Sequence, residues 1–297
     1  MKKHIMILPL MILVFVLILT NSCKKSDDNT PSPPPTTPTP TSTVPVLTTS
    51  NLNNITSTTA TIGGQLTSNG GASITAIGFC WNTAPSPTII NNKTIEGTDI
   101  FFYSNITGLQ ANTKYYIRAY ATNSIGTGYG NELSFQTKIE IGDSYQGGFV
   151  AYIFKQGDPG YNINEKHGLI AAPFDQSESA EWGCHSYEIG GTLLSLGTGQ
   201  ANTTAIVNGC STAGIAARIC NDLVLNGYSD WYLPSKNELN ILYWNANQIG
   251  GFTGSIYWSS SEQDSYYPWC QNFVGGTQSC NIYFKDNSAH VRAIRTF

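Results

Sequence analysis

The first 45 residues limit what this 297-residue chain can fold into. A short basic start precedes an apolar run from Ile5 to Leu19. This run is shorter than the roughly 20 apolar residues that a membrane-spanning helix needs, and Pro9 interrupts it. The pattern is typical of a cleaved export signal. A Pro- and Thr-rich segment then continues to Pro45, so about 250 residues are left to fold, enough for one large domain or two ordinary ones.

The segment from Lys24 to Pro45 is predicted to be an extended tether. It begins Lys-Lys-Ser-Asp-Asp and continues with closely spaced prolines. Such a segment has too little apolar surface to offset the entropy of ordering it. Proline at this density favours polyproline II at about 3.1 Å per residue, so some fifteen residues would span roughly 45 Å.

Cys23 directly follows the small residue Ser22 at the end of the apolar run. This arrangement resembles the lipobox of bacterial lipoproteins, and the alternative is a plain secretory signal with an incidental cysteine. The resemblance implies a signal peptide of residues 1–22, a tether of residues 23–45, and a membrane anchor formed by lipidation of Cys23. The acidic residues that follow are similar to the export tag of surface lipoproteins of Bacteroidetes-type bacteria. This similarity implies a lipid-anchored protein of the outer membrane, exposed at the cell surface.

The composition excludes one large class of partners. Charged residues make up 11% of the chain, with 19 acidic and 15 basic side chains. Basic pairs occur only at Lys2-Lys3 and Lys24-Lys25, so the electrostatic footprint of nucleic-acid binding is missing and no nucleic-acid partner is expected. Gly (29) and Tyr (16) are abundant instead. An exported chain of this composition suggests β-rich modules with polar, aromatic surfaces.

Residues 46–138 are predicted to form short strands separated by turns. Strands are indicated at 58–66, 74–81 and 115–121, and in the last of these alternate residues share one face. The Ser-Asn-Gly-Gly stretch at 68–71 indicates a turn, because Asn and Gly tolerate a positive φ.

Leu109 and Tyr115 lie six residues apart in Leu-Gln-Ala-Asn-Thr-Lys-Tyr, and an Arg-Ala-Tyr-Ala-Thr-Asn run follows. Together with Ser-Phe-Gln-Thr at 134–137, these stretches resemble fibronectin type III domains. The resemblance implies a seven-stranded Greek-key sandwich in which the Tyr115 hydroxyl bonds to nearby backbone, the tyrosine corner. A spacer role is expected for this module. Its only cysteine, Cys80, is expected to be a small buried residue.

Residues 139–297 are predicted to combine two helices with short strands. An apolar stripe predicts a helix over 212–225 that ends at Gly227. A second helix is predicted to begin at the capping box Ser235-Lys-Asn-Glu and to end before Gly250. The strands are expected at 147–154, 167–173, 256–260, 269–273, 282–284 and 290–295.

The stretch Asp-Trp-Tyr-Leu-Pro-Ser-Lys-Asn-Glu-Leu at 230–239 resembles the DUF1566 domains, which are akin to the C-terminal domain of the Legionella collagen-like adhesin. Asn-Asp-Leu at 221–223, Tyr-Trp-Ser-Ser-Ser-Glu at 257–262 and Val-Arg-Ala-Ile-Arg at 291–295 agree in order. The resemblance implies a C-type-lectin-like or formylglycine-generating-enzyme-like α+β fold and a role in surface binding. The expected chain is therefore multidomain, an all-β fibronectin type III sandwich followed by an α+β C-type-lectin-like domain.

Signatures of catalysis are missing, so no enzyme activity and no cofactor are expected. The sequence contains no His-Glu-x-x-His, Cys-x-x-Cys or Gly-x-Ser-x-Gly motif and no phosphate loop. The formylglycine-generating relatives use a cysteine pair for copper-dependent oxidation, and Cys270 and Cys280 lie near the corresponding end of this chain. Their wider spacing and the oxidising destination favour a structural disulfide instead.

Five cysteines in residues 139–297 leave one unpaired. Cys220 lies on the apolar stripe of the first predicted helix and is expected to be the buried thiol. The predicted disulfides are Cys184–Cys210 and Cys270–Cys280. The acidic residues of the tail are interpreted as solvated side chains, so no metal site is predicted; they are Glu262, Asp264 and Asp286.

The tail is rich in Tyr, Ser, Asn and Gly, a composition typical of recognition surfaces. The candidate ligand-binding residues are Gln263, Asp264, Tyr266, Tyr267, Gln271, Asn281 and Tyr283. Arg292 and Arg295 are expected to anchor the C-terminus through buried hydrogen bonds. The leading hypothesis is a non-catalytic surface lipoprotein that presents a lectin-like domain to a glycan or protein ligand. The alternatives are a copper oxidase of the formylglycine-generating type and a structural envelope protein without a defined ligand.

Overall fold

The computed structural model describes residues 41–279 and 282–297. The predicted signal peptide, the lipidation site Cys23 and most of the tether lie outside the described residues, as do Cys280 and Asn281. Strands make up the regular structure before Gly199, and helices enter after it. Within the described part of the chain, no helix is long and apolar enough to cross a bilayer.

Two antiparallel sheets form the first half of the described chain. The three-stranded sheet has the order β1-β2-β5, with β1 at Val46–Asn53, β2 at Ala60–Ser68 and β5 at Phe101–Ile106. The other sheet has the order β4-β3-β6-β7, and β8 also pairs with β6. Its strands are β3 Ala76–Asn82, β4 Asn92–Lys93, β6 Lys114–Thr122, β7 Thr127–Tyr129 and β8 Leu133–Gln136. The two-residue β4 adds an eighth strand to the seven expected.

The core of this sandwich follows from the two-residue period of its strands. In β6 the side chains of Tyr115, Ile117 and Ala119 are buried, and they face the buried residues of the other sheet. The Phe79 and Phe102 rings bring the two sheets together, with centroids 5.0 Å apart. Burying each such side chain stabilises the fold by about 1.5–3 kcal/mol.

The predicted tyrosine corner is confirmed. The backbone N–H of Gln110 donates to the Tyr115 hydroxyl over 3.0 Å, and the Tyr115 ring stacks on Phe135 with centroids 5.8 Å apart. Cys80 is buried and free, as expected. Desolvation raises the pKa of its thiol to about 11, so the thiol stays protonated at neutral pH.

Two four-stranded sheets form the second half. The first has the order β16-β11-β10-β9, with β9 Ser144–Tyr145, β10 Gly148–Ile153, β11 Gly168–Ala171 and β16 Ile294–Thr296. The second has the order β12-β15-β13-β14, with β12 Ser177–Glu181, β13 Ile256–Glu262, β14 Pro268–Asn272 and β15 Ser288–Val291. The β13–β15 pair is parallel, and the other pairs are antiparallel. Between these strands lie α1 Gly199–Gly209, α2 Ala216–Asn221, α3 Lys236–Trp244 and α4 Ala246–Ile249.

The helix predicted to begin at Ser235 is present as α3. The helix predicted over 212–225 is much shorter than expected. Ser235 caps α3, and a complete capping box joins it to Glu238. The other helix shrinks to the six residues of α2. It cannot start earlier because Gly214 has a positive φ of 71° and Ile215 is extended. The chain folds back soon after α2, where Leu225 and Tyr228 form an isolated β-bridge.

Helix α1 was not predicted, because its Gly-, Asn- and Thr-rich sequence has no clear apolar stripe. Buried side-chain bonds hold it instead. Asn202 bonds to both backbone groups of Leu193, and the Thr203 hydroxyl bonds to both backbone groups of Leu233. These tertiary contacts override a weak local preference.

The strand predicted at 282–284 is also wrong. After β14 the described residues 273–279 and 282–287 form no strand and are called the irregular loop here, and the Asn272 side chain begins it by accepting the N–H groups of Val274 and Gly275. This Asx turn turns the chain away from the sheet, so no hairpin strand follows.

The cysteines fall largely where they were expected. Cys184 and Cys210 form a disulfide with Cα atoms 5.8 Å apart, which confirms that pair. Cys220 is buried and free. Cys270 is disulfide-bonded, and its predicted partner Cys280 lies outside the described residues, so that pairing stays a prediction.

The tyrosine corner predicts a stability difference between two adjacent tyrosines. Tyr115→Phe removes the hydroxyl that accepts the N–H of Gln110 in a part-buried hydrogen bond, so we expect the free energy of unfolding to fall by about 1 kcal/mol. Tyr116→Phe is the matched control and is expected to change it by less than about 0.5 kcal/mol. Urea unfolding of residues 41–297 measures both values, and equal effects would contradict the role of the corner.

Candidate functional site

A buried carboxylate organises one face of the second half. Asp175 Oδ1 accepts from Arg292 Nε over 2.7 Å, and Asp175 Oδ2 accepts from the Tyr257 hydroxyl over 2.8 Å. Arg292 is fully buried, and it also donates to the carbonyl groups of Ala172 and Gly251. Because desolvation dominates at Tyr257, the pKa of its phenol is raised and the group remains a donor.

The same carboxylate orients His290. The His290 Nδ1 atom lies 2.8 Å from Asp175 Oδ2. A carboxylate accepts at this position, so Nδ1 of the neutral ring carries the proton and Nε2 keeps its lone pair. The side chain of His290 is 16% exposed and lines a surface groove. Asp175 therefore fixes which nitrogen of His290 is available to a ligand.

The groove has a volume of about 660 Å³ and lies on the outer face of the β12-β15-β13-β14 sheet. In β15 the alternation places Ala289 and Val291 in the core and Ser288 and His290 on the opposite face. The irregular loop forms the facing wall. The full lining is Glu178, Gly254, Ser255, Ile256, Asn272, Val274, Thr277, Ser279, Ile282, Tyr283, Ser288, Ala289 and His290.

A group of surface rings, here called the aromatic surface cluster, is formed by His185, Tyr266, Tyr267 and Phe284. Phe284 directly follows the groove residue Tyr283 in the sequence. The Tyr267 and Phe284 rings stack with centroids 4.8 Å apart. His185 contacts the edges of Tyr266 at 5.2 Å and of Phe284 at 5.6 Å. Tyr266 is 46% exposed and Phe284 is 38% exposed, so the rings order one another without leaving the surface.

Local hydrogen bonds fix the loop 263–267, which carries Tyr266 and Tyr267. Asp264 Oδ1 accepts the N–H groups of Tyr266 and Tyr267, each over 2.8 Å. The carbonyl of Tyr267 then accepts the N–H of Gln263 over 2.9 Å. The carbonyl of Tyr266 accepts the N–H of Lys285 over 3.0 Å, which joins this loop to the irregular loop.

The buried ion pair between Lys285 and Glu262 stabilises the chain segments that carry the aromatic surface cluster. Lys285 Nζ bonds to Glu262 Oε1 and donates to the carbonyl of Tyr187 over 2.7 Å. Glu262 also accepts the N–H groups of Ile189 and Gly190. The expectation that Glu262 is a solvated acid is wrong, because these partners satisfy a buried carboxylate. The pair holds the segment of His185 next to Phe284.

The structure sorts the predicted binding residues into separate environments. Gln263, Asp264, Tyr266 and Tyr267 lie together in the loop of the aromatic surface cluster. Tyr283 lies on the groove side, where its ring contacts Trp258 at 6.2 Å. Asn281 is outside the described residues.

The assignment of Gln271 to the binding surface is corrected. Its side chain is fully buried, Nε2 donates to the carbonyl of Gly276 over 2.8 Å, and Oε1 has no partner among the described residues. Gln271 pairs with Tyr257 across β13 and β14, which places it in the interior of the sheet.

Sequence reasoning missed His185, Phe284, Asn272 and His290. Their roles depend on partners far along the chain: His290 and Asp175 are 115 residues apart. The one local signal was the polar–apolar alternation of Ser288 to Val291.

The Trp-Tyr-Leu-Pro-Ser-Lys-Asn-Glu stretch supports the fold and lies apart from the groove lining. Glu238 is fully buried and accepts the N–H groups of Ser235 and Gly197, each over 2.8 Å. Burial raises the pKa of its carboxyl. Arg295 holds Asp230 through two bonds of 2.7 and 2.9 Å, and this bonding lowers the pKa of Asp230. The anchoring role expected of Arg292 and Arg295 is thus confirmed.

Among residues 41–279 and 282–297, no group of three or more His, Cys, Asp or Glu side chains is arranged to hold a metal ion.

The fold is a β-sandwich followed by a mixed α/β part. The family model of the Lcl C-terminal domain matches residues 175–295. The matched segment runs from Asp175 to Arg295 and therefore contains both carboxylate–arginine networks. No curated protein matches the chain.

Several solved structures are similar to part of the chain. The sixth fibronectin type III domain of human fibronectin type III domain containing protein 3 is 22% identical, covering 35% of this chain and 96% of that one, with a TM-score of 0.27. The FN3 domain of human collagen XX is 17% identical, covering 32% and 94%, with a TM-score of 0.25. The sensor domain of the anti-sigma factor RsgI4 from Pseudobacteroides cellulosolvens is 16% identical, covering 34% and 98%, with a TM-score of 0.25. The sandwich itself is defined by its strand order and register.

The Asp175 network predicts a large and specific loss of stability. Asp175→Ala leaves the buried Arg292 guanidinium without its counter-charge, so we expect the free energy of unfolding to fall by about 3–5 kcal/mol. Asp286→Ala removes an exposed carboxylate from the same face and is expected to cost less than about 0.5 kcal/mol. The midpoint temperature of thermal unfolding is measured for both variants. If it falls no more for Asp175→Ala than for Asp286→Ala, the network does not stabilise the fold.

Proposed function

We propose that this protein is a non-catalytic surface lipoprotein that displays a lectin-like recognition domain for glycan or protein ligands. The proposal rests on one observation: the rings of the aromatic surface cluster are ordered by mutual contacts while Tyr266 and Phe284 stay exposed. The proposal includes lipidation at Cys23, an outer-membrane location at the cell surface, and a C-type-lectin-like fold of the DUF1566 type for residues 139–297.

Exposed aromatic rings suit a recognition surface for two physical reasons. A ring presents a large apolar face while the tyrosine hydroxyl and the nearby polar groups form hydrogen bonds. Rings that are already held in place lose little conformational freedom on binding. In this protein the ring contacts and the Asp264 turn provide that order before any ligand arrives.

The sequence and the family comparison support display at a surface. The Pro/Thr-rich tether after Cys23 would extend the folded part away from a lipid anchor. The match of residues 175–295 to the Lcl C-terminal domain family supports a surface-associated role for the segment that carries the groove. The fibronectin type III-like module would act as a spacer between the tether and this segment.

The copper-oxidase alternative is less well supported. That chemistry needs a reduced cysteine pair, whereas Cys270 is disulfide-bonded. A structural envelope protein without a ligand is an outcome of the binding test.

The aromatic surface cluster predicts which variant loses binding. We would screen residues 41–297 against a glycan array and a panel of immobilised extracellular-matrix proteins. Tyr266→Ala combined with Phe284→Ala is expected to weaken saturable binding at least tenfold, about 1.4 kcal/mol, because the rings are the proposed contact. Phe101→Ala, an exposed ring of the first sandwich, is the matched control and should bind as the parent protein does.

Two outcomes would count against this function. Undiminished binding by the folded double variant would place the ligand elsewhere. Failure of the parent protein to bind anything on either panel would favour the structural envelope role.

A further inference from the structure

The described residues that line the groove include no lysine or arginine. Glu178 is the only acidic residue among them, and its side chain has no bonded partner in the described part of the chain. The nearest buried cations are already paired, Arg292 with Asp175 and Lys285 with Glu262. An anionic ligand would therefore lose its hydration and meet a carboxylate of like sign.

The groove offers uncharged donors and acceptors instead. Asn272 Oδ1 is occupied by the N–H groups of Val274 and Gly275, so the amide nitrogen is left as a donor. His290 contributes the Nε2 lone pair, because Asp175 holds its Nδ1. The hydroxyl groups of Ser288 and Tyr283 have no side-chain partner among the described residues and can both donate and accept.

Apolar surface lies between these polar groups. Ile256 and the Tyr283 ring line the groove. Val274 is 74% exposed and Ile282 is 80% exposed at its edge. A volume of about 660 Å³ falls within the roughly 300–1,000 Å³ usual for small-ligand sites.

We infer that this groove binds a neutral, hydroxyl-rich sugar unit of a glycan and excludes sulfated or carboxylated sugars. Sugar hydroxyls both donate and accept, so they match the Asn272 amide and His290 Nε2 together. The C–H face of a sugar ring matches the apolar strip of Ile256 and Tyr283. This inference rests on the proposed recognition function, and it names the chemical class of the ligand.

The test compares polysaccharides that share a backbone and differ in charge. Binding of residues 41–297 is measured by biolayer interferometry at constant ionic strength. The probes are dextran, mannan, galactan and xylan, each with its sulfated derivative. We expect saturable binding of at least one neutral polymer, at least tenfold tighter than that of its sulfated counterpart.

Three variants probe the groove while keeping the fold. In His290→Asn the amide nitrogen takes the place of Nδ1 toward Asp175 and the Nε2 group is lost. In Asn272→Asp the turn acceptor is kept and the free donor is lost. Each is expected to weaken neutral-glycan binding at least tenfold. Glu178→Lys is expected to strengthen binding of the sulfated counterpart at least tenfold, because it places a cation in the groove.

Asn105→Asp adds the same charge on an exposed strand of the first sandwich and is the matched control for Asn272→Asp. Unchanged neutral-glycan binding by the folded His290→Asn and Asn272→Asp variants would overturn the inference, as would failure of every neutral polymer to bind. Sulfated-polymer binding that is lost in the Tyr266/Phe284 double variant would overturn this inference and leave the proposed function standing. If neither glycans nor matrix proteins bind, both this inference and the proposed function are wrong.

Discussion

The ion pair between Asp175 and Arg292 is the contact on which the second half of the structure depends. The guanidinium is fully buried, and it reaches the carbonyls of Ala172 and Gly251 as well as the carboxylate. Arg292 lies between β15 and β16, and it thus joins the segment after β11, the segment after α4 and the residues just before β12. A buried charge is stable only when it is ion-paired and hydrogen-bonded. All three segments must therefore be in place before the Arg292 guanidinium can be buried.

The same requirement explains how an irregular loop can present ordered side chains. Lys285 and Glu262 form the second buried pair, and they join the described end of the irregular loop at Lys285 to the sheet and to the segment that carries His185. Tyr283 and Phe284 are adjacent in sequence, yet one lines the groove and the other joins the aromatic surface cluster. The two buried ion pairs, Asp175–Arg292 and Glu262–Lys285, therefore order this face of the protein where no regular strand does so.

Sequence reasoning succeeded where the deciding contacts are local. The tyrosine corner at Tyr115 and the capping box from Ser235 to Glu238 each close within five residues, so their motifs carry the geometry. It failed where distant partners decide. The presence of α1 and the burial of Gln271 depend on tertiary contacts, and the His290–Asp175 bond joins residues 115 apart. Four of the predicted binding residues fell together because they share one short loop.

The last strand has a consequence for the order in which the chain can fold. β16 pairs with β11, and Ile294 bridges to Tyr232, so residues near the end of the chain complete both the first sheet of the second half and its core. Domains fold as units as the chain emerges from its N-terminus. The sandwich can thus close early, whereas the second half stays open until its final residues arrive.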